Sequence, residues 1–194
     1  MSLPLHALAL ALCWLTACGA EPSRLADGMD SGDGSGAIVE IGTGTSSFEP
    51  LVDEQAMPLH EGIQGGHHFL VHARMRGLVP GNPATPGLAS NPATSLRAFD
   101  ERGNRVDDAT PTYFIGYRDA GDGFYELPNP RFVVVQNARV VDLIGQRVRL
   151  QVEATDHDGR TAMDEVWVMV YEQPLEPGDA GVADPSADRA SPDG

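Results

Sequence analysis

Apolar and polar residues alternate with a period of two through much of the C-terminal half of the chain. In RVRLQVE, residues 147–153, every second residue is Val or Leu, which predicts a half-buried β-strand. In EVWVMVY, valines occupy one face and Trp167, Met169 and Tyr171 the other, so we expect that strand to be covered on both sides. No stretch of ten residues carries an apolar stripe of helical period. This pattern restricts the folded body to an all-β architecture.

Further segments have the length and composition of strands, and turn sequences separate them. The candidate strands are residues 38–41, 48–52, 68–76, 96–100, 113–118 and 132–136. The candidate turns, rich in Gly, Asn and Asp, are residues 101–104, 119–123 and 156–159. A series of about seven to nine short strands predicts a single antiparallel β-sandwich.

Composition divides the chain into four regions. The apolar run at residues 3–17 is shorter than the roughly 20 residues that span a bilayer, so residues 1–17 are predicted to be an export signal. Residues 18–36 and 173–194 are rich in Gly, Ser, Pro, Ala and acids, which predicts a flexible linker and a disordered acidic tail. The predicted folded body is residues 37–172.

The apolar run ends in the tetrapeptide LTAC, residues 15–18, which resembles the lipobox of bacterial lipoproteins. The resemblance implies that the signal is removed before Cys18 and that its sulfur carries a diacylglyceryl group. Two or more acyl chains anchor a protein stably, because each buried methylene contributes about 0.8 kcal/mol. Gly19 after the cysteine is similar to lipoproteins sorted to the outer membrane, so the cell envelope, at the outer membrane, is the expected location. No Lys or Arg precedes the apolar core, so either the start lies upstream or the signal is weak.

The segment VRLQVEATDHDGRTAMDEVWVMVYE resembles the last two strands of bacterial immunoglobulin-like domains of the PKD, cadherin-like and fibronectin type III kind. In those domains a valine-rich strand ends in T-D-x-D-G-R and returns as a second alternating strand. The resemblance implies one immunoglobulin-like antiparallel β-sandwich over residues 37–172. The order IVEIGTG, GIQGGHH and DHDGRTA is also similar to lipoproteins of high-GC Gram-negative bacteria such as the myxobacteria, and this likeness implies no particular activity.

Charge and cysteine content exclude several classes of function. The chain has 13 Arg, no Lys and 28 acidic residues, with a formal net charge of −15, so no nucleic-acid binding is expected. Cys13 would leave with the signal and Cys18 would be lipidated, so the mature chain would have no free thiol. Redox catalysis, thiolate nucleophiles and cysteine-based zinc sites are therefore not expected.

Four histidines, His60, His67, His68 and His72, lie within 13 residues. Such clusters bind copper or zinc in exported proteins, so a copper- or zinc-binding envelope protein is the alternative function. In a strand, His68 and His72 share a face but are about 13 Å apart, while His67 points to the opposite face. A single site therefore requires His60 to fold back beside His68, or a further ligand such as Glu61. Otherwise the histidines line a solvated face and no cofactor is bound.

Two acidic turns have some features of a calcium loop. Asp156, Asp158 and Gly159 resemble its beginning but lack the third acid and the distal Glu, so we expect an ordinary turn. Asp119, Asp122 and Glu126 cluster beside a glycine-rich turn, for which a solvated hairpin tip is the favoured interpretation and a weak calcium site the alternative.

A proline-rich loop is the best candidate for recognition. Residues 80–94 contain the sequence NPAT twice, and their prolines disfavour strand pairing, so we expect a long exposed loop. The chain lacks the G-x-S-x-G motif of serine hydrolases, and an enzyme is not expected. The predicted function is a membrane-anchored, non-catalytic binding or structural module whose partner is another envelope protein or a glycan.

Overall fold

A computed structural model of the chain describes residues 36–62, 66–108, 111–136 and 139–173. The predicted export signal, the lipidation site Cys18 and nearly all of the predicted linker and tail lie outside the described residues. Within the described residues the chain is all-β, which confirms the fold class that the alternating pattern predicts.

The described residues form eleven strands and one short helix. These are β1 (Ile38–Thr43), β2 (Glu49–Pro50), β3 (Gln55–Glu61), β4 (His67–Arg76), β5 (Ala93–Phe99), β6 (Tyr113–Phe114), β7 (Arg118–Gly121), β8 (Phe124–Glu126), β9 (Arg131–Val135), α1 (Val140–Leu143), β10 (Arg147–Thr155) and β11 (Thr161–Gln173). In the described part of the chain, no helix combines the length and apolarity needed to cross a bilayer.

The strands form one curled sheet in the order β2-β1-β4-β3-β11-β10-β5-β6. The long strand β4 joins the two halves of the sheet, because its first residues pair with β9 and its last residues pair with β1 and β8. Strand β8 pairs in turn with β7. Strand β1 contacts both β10 and β11, so the sheet folds back over a common core.

Residues 105–108 connect the two sides of the curl. The backbone nitrogen of Val106 donates to the carbonyl oxygen of Ala98 in β5 at 2.9 Å, and the nitrogen of Gln136 donates to the carbonyl oxygen of Val106 at 3.1 Å. Because Gln136 directly follows β9, these hydrogen bonds tie the end of β9 to β5. The curl is therefore held by backbone hydrogen bonds as well as by packing.

The prediction of a purely antiparallel arrangement is wrong at one pair of strands. Strands β3 and β11 run parallel, from Gln55 opposite Val168 to His60 opposite Gln173. Alternation reports which side chains are buried, and it is the same for parallel and antiparallel neighbours, so it does not determine strand direction. Because the sheet contains both parallel and antiparallel pairs, it does not by itself establish an immunoglobulin-like sandwich, which remains a prediction.

Burial along the C-terminal hairpin confirms one expectation and corrects another. In β10 every second residue is buried, as the pattern in residues 147–153 predicts. In β11 the valines are buried, but Trp167 is only partly buried and Tyr171 is exposed, so the prediction of cover on both sides is wrong. Arginine side chains rather than a second layer cover the tryptophan, with the guanidinium carbons of Arg147 and Arg149 lying 4.9 and 5.8 Å from its ring centroid.

Candidate functional site

A shallow groove lies between the loop that precedes β5, the short strand β6 and the start of β9. It has a volume of 540 Å³, and its main lining residues are Pro86, Tyr113, Phe114, Pro130, Arg131 and Phe132. Phe114 is 40% exposed and Phe132 is 54% exposed. Large apolar side chains grouped in a concave surface are typical of a binding site, so this groove is the candidate functional site.

The loop wall of the groove is fixed by the second of the two NPAT sequences. Residues 82–90 are mostly exposed, as predicted, but Asn91 is buried. Its Oδ1 accepts a hydrogen bond from the backbone nitrogen of Asn82 at 2.7 Å, and its Nδ2 donates to the carbonyl oxygen of Thr85 at 2.6 Å. The asparagine of one repeat therefore holds the backbone of the other.

The opposite wall is tied to this loop by backbone contacts. The nitrogen of Gly87 donates to the carbonyl oxygen of Phe114 at 2.7 Å. Gly116 lies so close to the loop that a Cβ there would be 2.5 Å from the carbonyl oxygen of Asn82. Behind the wall, the hydroxyls of Tyr117 and Thr94 are 3.0 Å apart, and burial raises the pKa of Tyr117 to about 12. The buried phenol is therefore neutral at physiological pH.

The structure brings two of the four predicted histidine ligands together. His60 in β3 lies directly opposite His68 in β4, and their ring centroids are 5.7 Å apart with an interplanar angle of 23°. The edge of the Phe132 ring meets His68, with centroids 4.5 Å apart. Burial lowers the pKa of His60, and burial followed by repulsion from neighbouring imidazoles lowers the pKa of His68. Both rings therefore favour the neutral form.

His67 and His72 lie apart from this pair. His67 is opposite Glu61 in the register of β3 and β4, on the other face of the strand, and its Nε2 is 4.0 Å from a carboxylate oxygen of Glu172. His72 is fully buried and meets Phe48 edge to face at 6.0 Å. No group of three His, Cys, Asp or Glu side chains placed to hold a metal occurs among the described residues. The four-histidine cluster of the alternative function is therefore not assembled in this structure.

The buried position of His72 predicts a pH dependence of stability. Burial, the largest influence, lowers its pKa, while the Ala73 carbonyl oxygen and Glu126 raise it and Arg118 and Arg131 lower it. In the unfolded chain the ring binds a proton near pH 6.5, whereas the folded protein binds it only at lower pH. The unfolded state thus binds more protons as pH falls below 6.5, and stability decreases.

We expect the free energy of unfolding, measured by urea denaturation, to be lower at pH 5 than at pH 7.5. His72 contributes about 1.4 kcal/mol of this loss for each unit by which its pKa is lowered. His60 and His68 contribute with the same sign, so His72→Leu should reduce this slope without removing it. Glu126 and Asp156, whose pKa values are lowered in the folded protein, reduce stability as pH falls from their ordinary pKa range to their folded pKa, which lies mostly below the range of the histidines. A His72→Leu protein with an unchanged slope would contradict the assignment.

The two acidic turns hold their carboxylates in hydrogen bonds with the protein. Asp156 accepts from the backbone nitrogens of Val79, Asp158 and Arg160 at 2.9 to 3.0 Å, and the Arg160 guanidinium lies 2.7 Å away. Beside the other turn, Asp119 accepts from the nitrogen of Gly121 at 2.8 Å. The turn at residues 156–159 is the one that the sequence predicts, whereas residues 119–121 belong to β7 and only Asp122 and Gly123 form the second turn.

A second, polar pocket of 380 Å³ lies beside α1. In its lining, Arg139 donates to Asp100 at 2.8 Å, and Arg147 lies 3.9 Å from Glu101. Burial raises the pKa of Asp100, but hydrogen bonds from Asn104, Arg139 and Arg102 outweigh this and lower it to about 2. Since its acids are matched by arginines, this pocket offers no excess charge to a ligand.

Comparison with protein-family models finds no match for the chain, and comparison with curated protein sequences finds none either. The groove and the His60–His68 pair are therefore interpreted from their own geometry.

Proposed function

We propose that the chain is an outer-membrane lipoprotein whose β-domain, an immunoglobulin-like sandwich, is a non-catalytic binding module for another envelope protein. The lipobox-like residues 15–18 support the anchor. The fold-back of the sheet over one core and the alternating hairpin of β10 and β11 support the immunoglobulin-like relationship. The location in the outer membrane rests on the resemblance of the sequence around Cys18.

The exposed rings of Phe114 and Phe132 carry the proposal of a binding module. A chain gains free energy by removing apolar surface from water, at roughly 25 cal/mol per Å², yet these two rings remain in solvent on either side of the groove. A partner that fills the groove would recover that free energy. The energetic centre of a binding surface is commonly formed by a few aromatic side chains of this kind.

The shape and chemistry of the groove favour an extended polypeptide segment as the ligand. Tyr113, Phe114, Pro86 and Pro130 offer flat apolar surfaces, and such surfaces bind extended, proline-containing segments whose backbone is already ordered. Arg131, whose guanidinium carbon is 5.9 Å from the Tyr113 ring centroid, can bind a carboxylate or carbonyl group at the edge. We therefore assign the groove to an extended apolar or proline-containing segment.

Photocrosslinking in the cells that produce the protein tests this assignment. A photoreactive phenylalanine analogue at Phe114 or Phe132 should give the same discrete adduct, and one at Met163 should not. Met163 is the matched control because it is 55% exposed, against 54% for Phe132, and does not line the groove.

The nature of the adduct decides the class of partner. A protease-sensitive adduct is expected, whereas an adduct that resists protease and is shortened by glycosidases would replace the protein partner by a glycan. Equal labelling from all three positions would contradict a specific groove.

A further inference from the structure

We propose that His60 and His68 form an open two-histidine chelate for a late first-row divalent cation such as Zn²⁺ or Cu²⁺. This site differs from the four-histidine cluster suggested by the sequence, because it uses only the cross-strand pair. It adjoins the groove, because Phe132 contacts His68, but metal binding to the pair does not require the partner proposed for the groove.

The distance between the rings fits chelation. A histidine nitrogen lies about 2.0–2.1 Å from zinc, so each ring centroid lies about 3.2 Å from the ion, and two tetrahedral ligands have centroids roughly 5 Å apart. The observed separation of His60 and His68 is 5.7 Å. The rings are stacked with an interplanar angle of 23°, so chelation requires both side chains, which are partly exposed, to rotate until one nitrogen of each faces the same ion.

The two strands hold the pair in position before metal binds. His60 and His68 are opposite residues of β3 and β4, with Gln173 of β11 beside His60 and Val134 of β9 beside His68. The edge of the Phe132 ring packs against His68 and limits the rotation of the His68 side chain on that side. Because the backbones are fixed by neighbouring strands on both sides, chelation orders only two side chains, and the second ligand binds at a high effective concentration.

The imidazoles are also available as ligands. Neither ring forms a hydrogen bond or ion pair with another side chain among the described residues, and both rings are partly exposed. With no third His, Cys, Asp or Glu side chain grouped with them in the described part of the chain, the remaining coordination positions are open to water or an external donor. Imidazole prefers zinc and copper over magnesium and calcium, which require oxygen ligands.

Titration of the full chain with Zn²⁺ tests the chelate. The protein carries Cys13→Ser and Cys18→Ser, so that no thiolate competes, and is kept in detergent. By isothermal titration calorimetry, His60→Ala and His68→Ala should each lower the affinity for Zn²⁺ at least about 10-fold, and the double variant should lose less than the sum of the two single losses, because either substitution alone removes the chelate. His157→Ala is the matched control, because His157 lies in the distant turn between β10 and β11 and is exposed; its affinity should be unchanged.

Thermal unfolding shows whether a variant loses Zn²⁺ affinity because a metal ligand is missing or because the protein is misfolded. Without metal, His60→Gln and His68→Gln should unfold near the temperature of the parent chain. Added Zn²⁺ should raise the midpoint of the parent and of His157→Ala but not of either glutamine variant. Equal Zn²⁺ affinities for His60→Ala and His157→Ala, or equal stabilisation of all variants by Zn²⁺, would overturn the proposal.

Discussion

Replacement of Cys18 by alanine is expected to transfer the protein from the membrane fraction to the soluble fraction almost completely. The acyl chains are the only membrane-active feature predicted for the processed chain, and each of their methylenes contributes about 0.8 kcal/mol. Removing the sulfur removes the attachment point for all diacylglyceryl carbons at once. Fractionation, together with incorporation of labelled palmitate, measures the effect.

Cys13→Ala is the matched control for this experiment. It changes the other cysteine, five residues upstream, within the segment predicted to be removed, and should leave both lipidation and membrane association unchanged. Mass spectrometry that finds an unmodified Cys18 in the membrane-bound wild-type protein would refute the predicted anchor. The β-domain and its groove do not depend on the result.

The C-terminal hairpin can be predicted from the sequence of neighbouring residues alone. Strands β10 and β11 pair residue for residue from Arg147 opposite Met169 to Thr155 opposite Thr161, around the turn at residues 156–159. Both the alternation and the turn are properties of neighbouring residues. The hairpin could therefore be predicted without knowledge of the rest of the fold.

Strands β3 and β8 could not be predicted in the same way. Strand β3 contains Pro58 and has only Met57 and Leu59 buried, which is a weak alternating signal. It exists because it lies between β4 and β11 in the sheet, and that neighbourhood depends on the whole chain. Strand β8 has only three residues, Phe124–Glu126, too few for a period to be recognised.

The histidines show where reasoning from strand geometry succeeds and where it ends. Alternation along β4 predicts that His67 faces away from His68, and the register agrees, because His67 lies opposite Glu61 and His68 opposite His60. The expectation that the histidines line a solvated face is wrong for His72, which is fully buried. Whether His60 lies beside His68 depends on how β3 and β4 pair across the intervening residues. Sequence reasoning could state this only as a condition, which the register of the two strands meets.

The groove was the part of the candidate site least accessible from sequence. Phe114 and Phe132 are 18 positions apart and belong to strands that do not pair with each other. The available signal is weak: Tyr113 and Phe132 each lie two positions after a proline, Pro111 and Pro130. Part of the loop predicted at residues 80–94 lines one wall, although Ala93 and Thr94 belong to β5, and nothing local indicates what faces it.

Gly116→Ala is expected to destabilise the protein and to disrupt the groove. An added Cβ would lie 2.5 Å from the carbonyl oxygen of Asn82 and closer still to the nitrogen of Pro83, so the loop wall and the residues after β6 must separate. Forcing backbone apart in a packed region costs about 1–3 kcal/mol. A lowered urea midpoint should therefore accompany weaker crosslinking from Phe132. Gly66→Ala is the control, since among the described residues no atom beyond its chain neighbours lies within 4 Å of its added Cβ. An equal loss of stability in both variants would show that the close approach of Gly116 to the loop is not what holds this wall in place.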